Sequence, residues 1–198
     1  RQHQKSAIRK MHNGCILCGG TGSGKSITGL AYYFIQNGGT VEPMTKMKNP
    51  KDLYIITTAK KRDSGEWIGD MSWFYLTPDD KTKIYDHKVV IDSWNNIKKY
   101  ASVQNSFFIF DEQRVVGYGA WTKSFLKIAK ANDWILLSAT PGDNYMDYMP
   151  VFIANGFYKN KSEFTAEHCV YSRFSKFPQI ERFIGTERLN RLRRRVLV

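Results

Sequence analysis

Short apolar runs alternate with amphipathic runs along most of this chain. The apolar runs span residues 15–18, 53–57, 88–92, 107–110 and 134–137. Runs of this length with polar or glycine-containing flanks are typical of strands that are buried on both faces. Residues 26–35 and 120–132 instead repeat apolar positions at helical spacing. The alternation predicts an α/β fold with a mostly parallel central sheet and helices on both faces.

The segments between these runs carry weaker patterns. Residues 1–13 have apolar positions at helical spacing and predict an amphipathic helix. Residues 63–73 and 145–155 predict two further helices. The polar, proline-containing residues 40–51 and the polar residues 58–62 predict loops.

A glycine-rich segment, residues 19–26, joins the first predicted strand to the first long helix. It fits the pattern GxxxxGK[ST], in which backbone N–H groups surround a phosphate and the following helix adds its positive end. Lys25 would reach the β- and γ-phosphates of ATP, and the Ser26 hydroxyl would bind Mg²⁺. The plain alternative is a glycine-rich turn between strand and helix. The predicted cofactor-binding residues of this phosphate loop are Gly20, Thr21, Gly22, Ser23, Gly24, Lys25 and Ser26.

Two adjacent carboxylates follow the apolar run 107–110. An acidic residue at the end of a strand beside a phosphate loop holds Mg²⁺ through water, and Asp111 is placed for this role. Glu112 is placed to orient and deprotonate the attacking water. The alternative is an acidic strand end that simply faces solvent. Together with Lys25, these two carboxylates are the predicted catalytic residues.

A small hydroxyl-rich turn follows the run 134–137. It consists of Ser138, Ala139 and Thr140. Such a turn can hydrogen-bond to the neighbouring carboxylates and shift when the γ-phosphate leaves, so we predict that it couples hydrolysis to movement. An ordinary Ser/Thr turn is the alternative.

Charge indicates the class of partner. The 198 residues carry a formal net charge of +12 and have a pI of about 9.6. This balance favours a polyanion, and we predict nucleic acid, with DNA favoured over RNA. A cationic surface that serves only solubility is the alternative. Roughly half of the excess lies after Arg173, in a segment that ends with the basic run 191–195.

The cysteines and the ends of the chain bear on its compartment. Cys15 and Cys18 form a CxxC in an apolar run without a second such pair, so we interpret them as reduced core residues rather than zinc or redox ligands. No apolar run approaches 18 residues, and the polar, basic residues 1–5 do not resemble a signal peptide. We expect a cytoplasmic protein without membrane contact. The first residue, Arg1, suggests a processed product or an excised fragment.

Three stretches in order, GGTGSGKS, FIFDEQR and LLSATPGD, resemble motifs I, II and III of superfamily 2 helicases and translocases. They match the first of that family's two RecA-like domains, and the chain is similar in detail to helicase-like proteins encoded by bacteriophages. The resemblance extends to about Tyr158. It implies a nucleic-acid-dependent ATPase in the cytoplasm of a bacterial host.

The resemblance also implies roles for residues outside the three stretches. Gln4 would bind the adenine through its amide, although a surface glutamine is an alternative. Residues 57–62 correspond to motif Ia, and residues 92–95 resemble motif Ib. For Ser93 and Asn95, a role at the N-terminus of a helix is an equally good explanation. The predicted contacts to the nucleic-acid backbone are Thr58, Lys60, Lys61, Arg62, Ser93 and Asn95.

The chain departs from the family pattern in two ways. The acidic box ends in Gln113 and Arg114, so the residue that links motif II to motif III is replaced. After Tyr158 nothing resembles the second RecA-like domain or its arginine finger. We therefore predict an ATP-binding domain over residues 1–172 and a basic extension over 173–198. That extension would be a linker helix, with one apolar side, leading towards an absent second domain; the apolar positions are Leu189, Leu192 and Val196.

Other functions remain open from the residues. The ATPase of a phage DNA-packaging terminase also combines a phosphate loop, an Asp-Glu strand end and a Ser/Thr coupling turn. A nucleic-acid-binding module in which ATP acts only as a switch is a second alternative, although intact Lys25, Ser26, Asp111 and Glu112 argue against it. A small-molecule kinase would leave Glu112 and the turn at 138–140 without a role.

Overall fold

The computed structural model describes residues 1–78, 84–112 and 119–198. No helix within these ranges has the length and apolar character needed to cross a membrane. The helices are α1 (Gln2–Lys10), α2 (Lys25–Gln36), α3 (Ala59–Ser64), α4 (Glu66–Ser72), α5 (Ala120–Ala131), α6 (Tyr145–Ala154), α7 (Lys161–His168) and α8 (Thr186–Val196), with a 3₁₀ helix at Trp94–Tyr100. The strands are β1 (Ile16–Cys18), β2 (Thr40–Val41), β3 (Met44–Thr45), β4 (Leu53–Thr57), β5 (Val89–Ser93), β6 (Phe107–Asp111), β7 (Asp133–Ser138), β8 (Cys169–Tyr171) and β9 (Ile180–Phe183).

Five strands form the central sheet in the order β1-β7-β6-β4-β5, and every neighbouring pair is parallel. This confirms the predicted α/β class and the parallel sheet. Because all five strands run the same way, their carboxyl ends share one edge, where open α/β sheets bind ligands. The registers place Asp111 opposite Leu137 and Cys18 opposite Ser138 at that edge.

Alternating side chains of the strands enter two separate cores. On one face Tyr54, Phe108 and Trp134 pack with residues of α5, α6 and α8. On the other face Leu53 and Ile109 pack with residues of α2 and α4. Helices therefore cover both faces, as predicted, and the apolar strands are buried on both sides.

Two segments predicted as loops contain regular structure. Residues 58–62 were expected to be a loop, but most of them belong to α3. The Thr58 hydroxyl accepts a hydrogen bond from the Lys61 amide at 3.3 Å, and Gly65 ends the helix at φ 75°. Both are ordinary helix start and stop signals that the polar composition obscured. Likewise, the expected loop 40–51 contains the small antiparallel pair β2–β3.

The C-terminal segment packs on the same domain. Leu189, Leu192 and Val196 lie on one side of α8, as predicted, and are buried in the core that contains α5 and α6. The Val198 amide donates to the Ile16 carbonyl at 2.9 Å, so the last residues lie along β1. The predicted boundary between residues 172 and 173 falls within the antiparallel β8–β9 hairpin. The division into a domain and a linker extension stays a prediction.

The three cysteines are free thiols. Cys15 is buried, whereas Cys18 and Cys169 are half-buried. Burial raises the pKa of the Cys15 thiol to about 11, so it is protonated at neutral pH. A neutral, buried thiol agrees with the interpretation of Cys15 as a core residue.

Candidate active site

The glycine-rich segment forms the turn between β1 and α2. Gly22 and Gly24 have φ of 77° and 82°, in the left-handed region that favours glycine. A Cβ atom on Gly24 would lie 2.5 Å from the Gln4 Nε2 atom, so the flexible end of the Gln4 side chain would have to move away. Gly24 caps the 12-residue helix α2, whose N-terminal N–H groups therefore face the turn.

Polar groups of this turn converge on its interior. The Lys25 ammonium donates to the Gly19 carbonyl at 2.6 Å and to the Gly20 carbonyl at 3.0 Å. The Ser23 hydroxyl oxygen is buried and has no hydrogen-bond partner among the described residues. A buried hydroxyl without a partner is costly, and an anion or its hydration shell would relieve that cost. The turn therefore fits a phosphate group.

Asp111 lies at the end of β6 and is held by its neighbours. Its side chain is only 2% exposed. The Thr57 hydroxyl donates to the Asp111 Oδ2 at 2.7 Å, and the Trp94 indole N–H donates to its main-chain carbonyl at 2.9 Å. Thr57 thus fixes the carboxylate and Trp94 fixes the backbone of the same residue, so Asp111 is prepared to hold a cation with little reorganisation.

Glu112 has an unusual backbone conformation. Its φ is 65°, in the left-handed region that costs a non-glycine residue about 1 kcal/mol or more. The Glu112 amide donates to the Leu137 carbonyl at 2.8 Å, which ties this turn to β7. The side chain is 39% exposed, so it reaches solvent where Asp111 does not. Gln113 and Arg114, the rest of the predicted box, lie outside the described residues.

Lys61 connects α3 to both carboxylates. Its ammonium lies 3.2 Å from the Asp111 Oδ2 and 3.3 Å from the Glu112 Oε1. Burial disfavours the charged lysine, but the two carboxylates outweigh burial and raise the Lys61 pKa. We predicted a nucleic-acid contact for this lysine, which stays a prediction. Its ion pairs leave no sign in the sequence, because they join Lys61 to residues about 50 positions further along the chain.

The other predicted nucleic-acid residues have different environments. Arg62 pairs with Asp63 at 2.8 Å and with Asp92 at 3.0 Å. Ser93 is buried, and its amide donates to the Asp92 Oδ1 at 2.7 Å. Lys60 and Asn95 are exposed, whereas Thr58 is half-buried and caps α3. Of the six predicted contacts, Lys60 and Asn95 are thus the ones in exposed positions.

Asp92 is the centre of the polar network beside α3. It accepts hydrogen bonds from Tyr100, from Asn96 at 2.8 Å and from Arg62 at 3.0 Å. Burial alone would raise the pKa of Asp92, but these donors and the Ser93 amide lower it to about 2. The network fixes the end of β5 next to α3.

The predicted coupling turn lies against the phosphate loop. The Gly19 amide donates to the Ser138 carbonyl at 3.3 Å, and the Ser138 hydroxyl accepts from the Thr140 amide at 3.1 Å. Ser138 is buried, whereas Ala139 and Thr140 are exposed. A movement of this turn would therefore displace the hydrogen-bond partner of Gly19, the first glycine of the loop.

These groups surround one cleft of about 640 Å³ at the carboxyl edge of the sheet. The structure thus brings together the phosphate loop, the two carboxylates and the coupling turn, three stretches that are far apart in sequence. It also adds two acidic residues of α4, Glu66 and Asp70, which the sequence analysis missed because α4 carries no recognisable motif. The pKa of Asp70 is raised mainly by burial and, to a smaller extent, by the negative charge of nearby Glu66. The described lining consists of Thr21, Gly22, Gly24, Lys25, Ser26, Lys61, Glu66, Asp70, Asp111, Glu112, Ser138, Ala139 and Thr140.

Gln4 lies beside the phosphate loop rather than among the lining residues of this cleft. Its Nε2 is 3.5 Å from the Gly24 carbonyl, a long contact. It also lines one end of an apolar groove of about 710 Å³ between α1, α2 and the β2–β3 hairpin. Trp73 and Phe74 line the same groove. The predicted adenine contact of Gln4 stays a prediction, although its position next to Gly24 suits it.

Comparison with known proteins bears on the fold. A scan against protein-family models and a search of curated proteins each found no match. Among solved structures, the chain is similar to the crystal structure of the Pyrococcus furiosus Hef helicase domain, with a TM-score of 0.52 and 17% sequence identity. The match covers 87% of this chain and 41% of that chain, so this chain spans less than half the length of the Hef structure.

At this level of identity the likeness establishes the fold and nothing further. The parallel sheet, the flanking helices and the solved neighbour together define a RecA-like α/β fold. The resemblance to bacteriophage proteins stays a prediction.

Proposed function

We propose that this chain is the ATP-binding and ATP-hydrolysing motor domain of a nucleic-acid-dependent helicase or translocase. The observation that carries the proposal is the single cleft in which Lys25, Asp111, Glu112 and the turn 138–140 meet. On a RecA-like sheet these are the groups that nucleotide hydrolysis needs: a phosphate cradle, a metal-holding carboxylate and a carboxylate for water.

Each half of the cleft has its own part in binding. The Lys25 ammonium would exchange its carbonyl partners on Gly19 and Gly20 for phosphate oxygens. Ser26 and Asp111 would hold Mg²⁺, which neutralises charge on the phosphates when bound. The N-terminal N–H groups of α2 would face the same phosphates. Gln4, next to Gly24, would bind the adenine.

Glu112 would act on the attacking water. It is more exposed than Asp111, and its positive φ turns it away from the regular strand path. A carboxylate that reaches solvent beside a fixed metal-holding carboxylate can orient a water and accept its proton. Lys61 would hold both carboxylates in position and share them with the bound cation.

We expect a further catalytic cation to reach the cleft from outside this domain. The lining residues that the structure describes include Lys25 and Lys61 but no arginine. An arginine finger is worth about 10³–10⁵ in rate for enzymes of this type. We therefore expect a second RecA-like domain to complete the site, and we expect this chain alone to bind Mg·ATP but to hydrolyse it slowly and to unwind nothing.

Polar and cationic residues beside the cleft would contact a nucleic-acid backbone. Lys60 and Asn95 are exposed for direct contact, and Thr58 lies at the N-terminus of α3. Because α3 also carries Lys61, a phosphate bound at this helix would be felt at Asp111 and Glu112. The turn 138–140 would carry the reverse signal when the γ-phosphate leaves.

ATP hydrolysis by the wild-type chain and by Glu112→Gln tests this proposal. Single- and double-stranded DNA and RNA are compared as activators, and the exposed Glu163→Gln of α7 is the matched control. We expect wild-type turnover on the order of 0.01 s⁻¹ or slower. Glu112→Gln should bind Mg·ATP normally but lose hydrolysis about 100-fold.

Two results would contradict the proposal. Unchanged hydrolysis by Glu112→Gln would remove this residue from the water-activating role. Rapid, helicase-like turnover by this chain alone, stimulated by DNA, would show that no second domain is needed to complete the site.

A further inference from the structure

The tip of the β8–β9 hairpin exposes aromatic side chains in an unusual way. Phe174 is fully exposed at 100%, and Phe177 is 70% exposed. Tyr171, at the end of β8, is also exposed. Large apolar rings in water are unfavourable, and a group of them in one short segment is characteristic of a binding surface.

Cations are interleaved with these rings. The tip, residues 173–178, reads Arg-Phe-Ser-Lys-Phe-Pro, so a cation precedes each phenylalanine by one position. Arg173 and Lys176 are both exposed. Protein–protein interface cores are enriched in aromatic rings and arginine but depleted in lysine, whereas surfaces for single-stranded nucleic acid combine stacking rings with cations of both kinds on a positively charged groove. The composition therefore favours a nucleic acid over a protein partner.

The base of the hairpin is fixed to the domain. The Ser172 amide donates to the Gln179 carbonyl at 2.8 Å, which closes the tip. The rings of Phe183 and Tyr145 meet edge to face with centroids 5.3 Å apart. The ring of His168 lies against the Ile184 carbonyl, with Nδ1 at 2.8 Å. The exposed rings are thus carried on an anchored support.

The anchor also relates the hairpin to the nucleotide cleft. Tyr145 is the first residue of α6, which follows the coupling turn 138–140 within five residues. Because that turn leaves the carboxyl end of β7, the N-terminus of α6 lies towards the edge of the sheet that carries the cleft. The hairpin is attached to the element that would respond first to movement of this turn.

We propose that the tip 173–178 binds single-stranded nucleic acid. Phe174 and Phe177 stack on bases, while Arg173 and Lys176 pair with phosphates. This site goes beyond the backbone contacts at α3, because stacking requires unpaired bases and excludes an intact duplex. It rests on the proposed function only in that the partner of the motor is a nucleic acid.

Fluorescence anisotropy with labelled 20-nucleotide dT and rU strands tests the site. We expect Phe174→Ala/Phe177→Ala to weaken binding about tenfold or more. Phe174→Leu/Phe177→Leu keeps apolar area without the rings and should weaken binding similarly. Phe174→Tyr/Phe177→Tyr should bind within about twofold of wild type, because the rings remain. Ile84→Ala, at another exposed apolar position, is the control and should have no effect.

An abasic strand of the same length and a duplex complete the experiment. Neither should distinguish the variants from wild type, because neither offers bases for stacking. The proposal is overturned if wild type binds neither the dT nor the rU strand. It is also overturned if Phe174→Ala/Phe177→Ala binds as wild type does, or if Phe174→Leu/Phe177→Leu retains wild-type binding. The last result would indicate an apolar contact of the kind a protein partner makes.

Mg·ATP binding is measured on the same proteins. If wild type binds the strands through the rings but does not bind Mg·ATP, the proposed motor function fails and the hairpin site stands. If wild type binds Mg·ATP but the hairpin variants bind the strands as wild type does, the hairpin site fails and the proposed motor function stands.

Discussion

Two lysines among the described residues, Lys25 and Lys61, line the cleft at the carboxyl edge of the sheet, and the molecule holds them in different ways. Lys25 bonds to carbonyls of its own loop, five and six residues away. Lys61, in α3, pairs with carboxylates at and directly after the end of β6, about 50 residues away. The first arrangement depends on the backbone shape of one segment, and the second depends on the order of strands in the sheet.

The difference separates what each lysine can do. Carbonyls are neutral, so Lys25 keeps its full charge available for an anion that enters the loop. The charge of Lys61 is already balanced by two carboxylates, so its main effect falls on the site that would hold Mg²⁺ and water. We therefore expect a substitution of Lys25 to act on nucleotide binding and one of Lys61 to act on the carboxylates.

Lys25→Ala should have the largest effect. Loss of the ammonium removes the charge partner of the phosphates, and we expect Mg·ATP affinity to fall by roughly 100-fold or more. Titration calorimetry measures this, with the exposed Lys127→Ala of α5 as the control. Retained affinity in Lys25→Ala would mean that the phosphates bind elsewhere.

Lys61→Ala should act on stability instead. Asp111 is nearly fully buried, so removal of its cation leaves a buried carboxylate without charge balance. We expect a loss of about 2 kcal/mol in the free energy of unfolding, less than for a fully buried pair because Lys61 is partly exposed. Denaturant unfolding measures it. The adjacent, exposed Lys60→Ala is the matched control and should change stability by less than about 0.5 kcal/mol.

The same contrast between local and long-range contacts explains which regions could be predicted from the sequence. The phosphate loop and the strands are contiguous, and their chemistry is written in neighbouring residues, so the strand over residues 53–57 was predicted with its observed bounds. The ion pairs of Lys61 were not predictable, because they require β4 and β6 to be neighbours. The positive φ of Glu112 likewise depends on the contact of its amide with β7.

Helix α3 and the β8–β9 hairpin were not predicted from the sequence, for two different reasons. The start and stop signals of α3, Thr58 and Gly65, were in the sequence but were outweighed by its polar composition. The hairpin has few buried positions, so its strands lack the apolar alternation that identifies a half-buried strand. Regular structure without a core leaves little trace in a hydrophobic pattern.

Gly24→Ala tests the backbone side of the comparison. Its positive φ opposes a side chain, and the Gln4 amide would have to move away from the methyl group, so we expect a loss of about 1–2 kcal/mol in unfolding free energy and weaker Mg·ATP binding. Gly69→Ala is the matched control. Nothing described lies within 4 Å of a Cβ at this helical position, so it should gain about 0.5–1 kcal/mol. Equal effects of the two substitutions would refute the backbone argument.

The Asp92 network gives the smallest effect and a dependence on pH. The folded-state pKa of Asp92 is lowered to about 2, from an ordinary value of 3.8. Its stabilisation is therefore fully present above pH 3.8 and is lost as the pH falls towards 2. We expect wild type to exceed Asp92→Asn in unfolding free energy by roughly 1 kcal/mol near pH 6, with a gap that narrows below pH 4. A gap that is constant from pH 6 to pH 2.5 would contradict the ionised network.

The dependence of ATP affinity on Mg²⁺ tests most directly whether the loop and the strand end form one nucleotide site. ATP is titrated into wild type, Asp111→Asn and Lys25→Ala, with Mg²⁺ and with a chelator. We predict that Mg²⁺ strengthens binding to wild type, that Asp111→Asn loses this gain, and that Lys25→Ala binds weakly in both conditions. Equal gains from Mg²⁺ in wild type and Asp111→Asn would contradict a shared site.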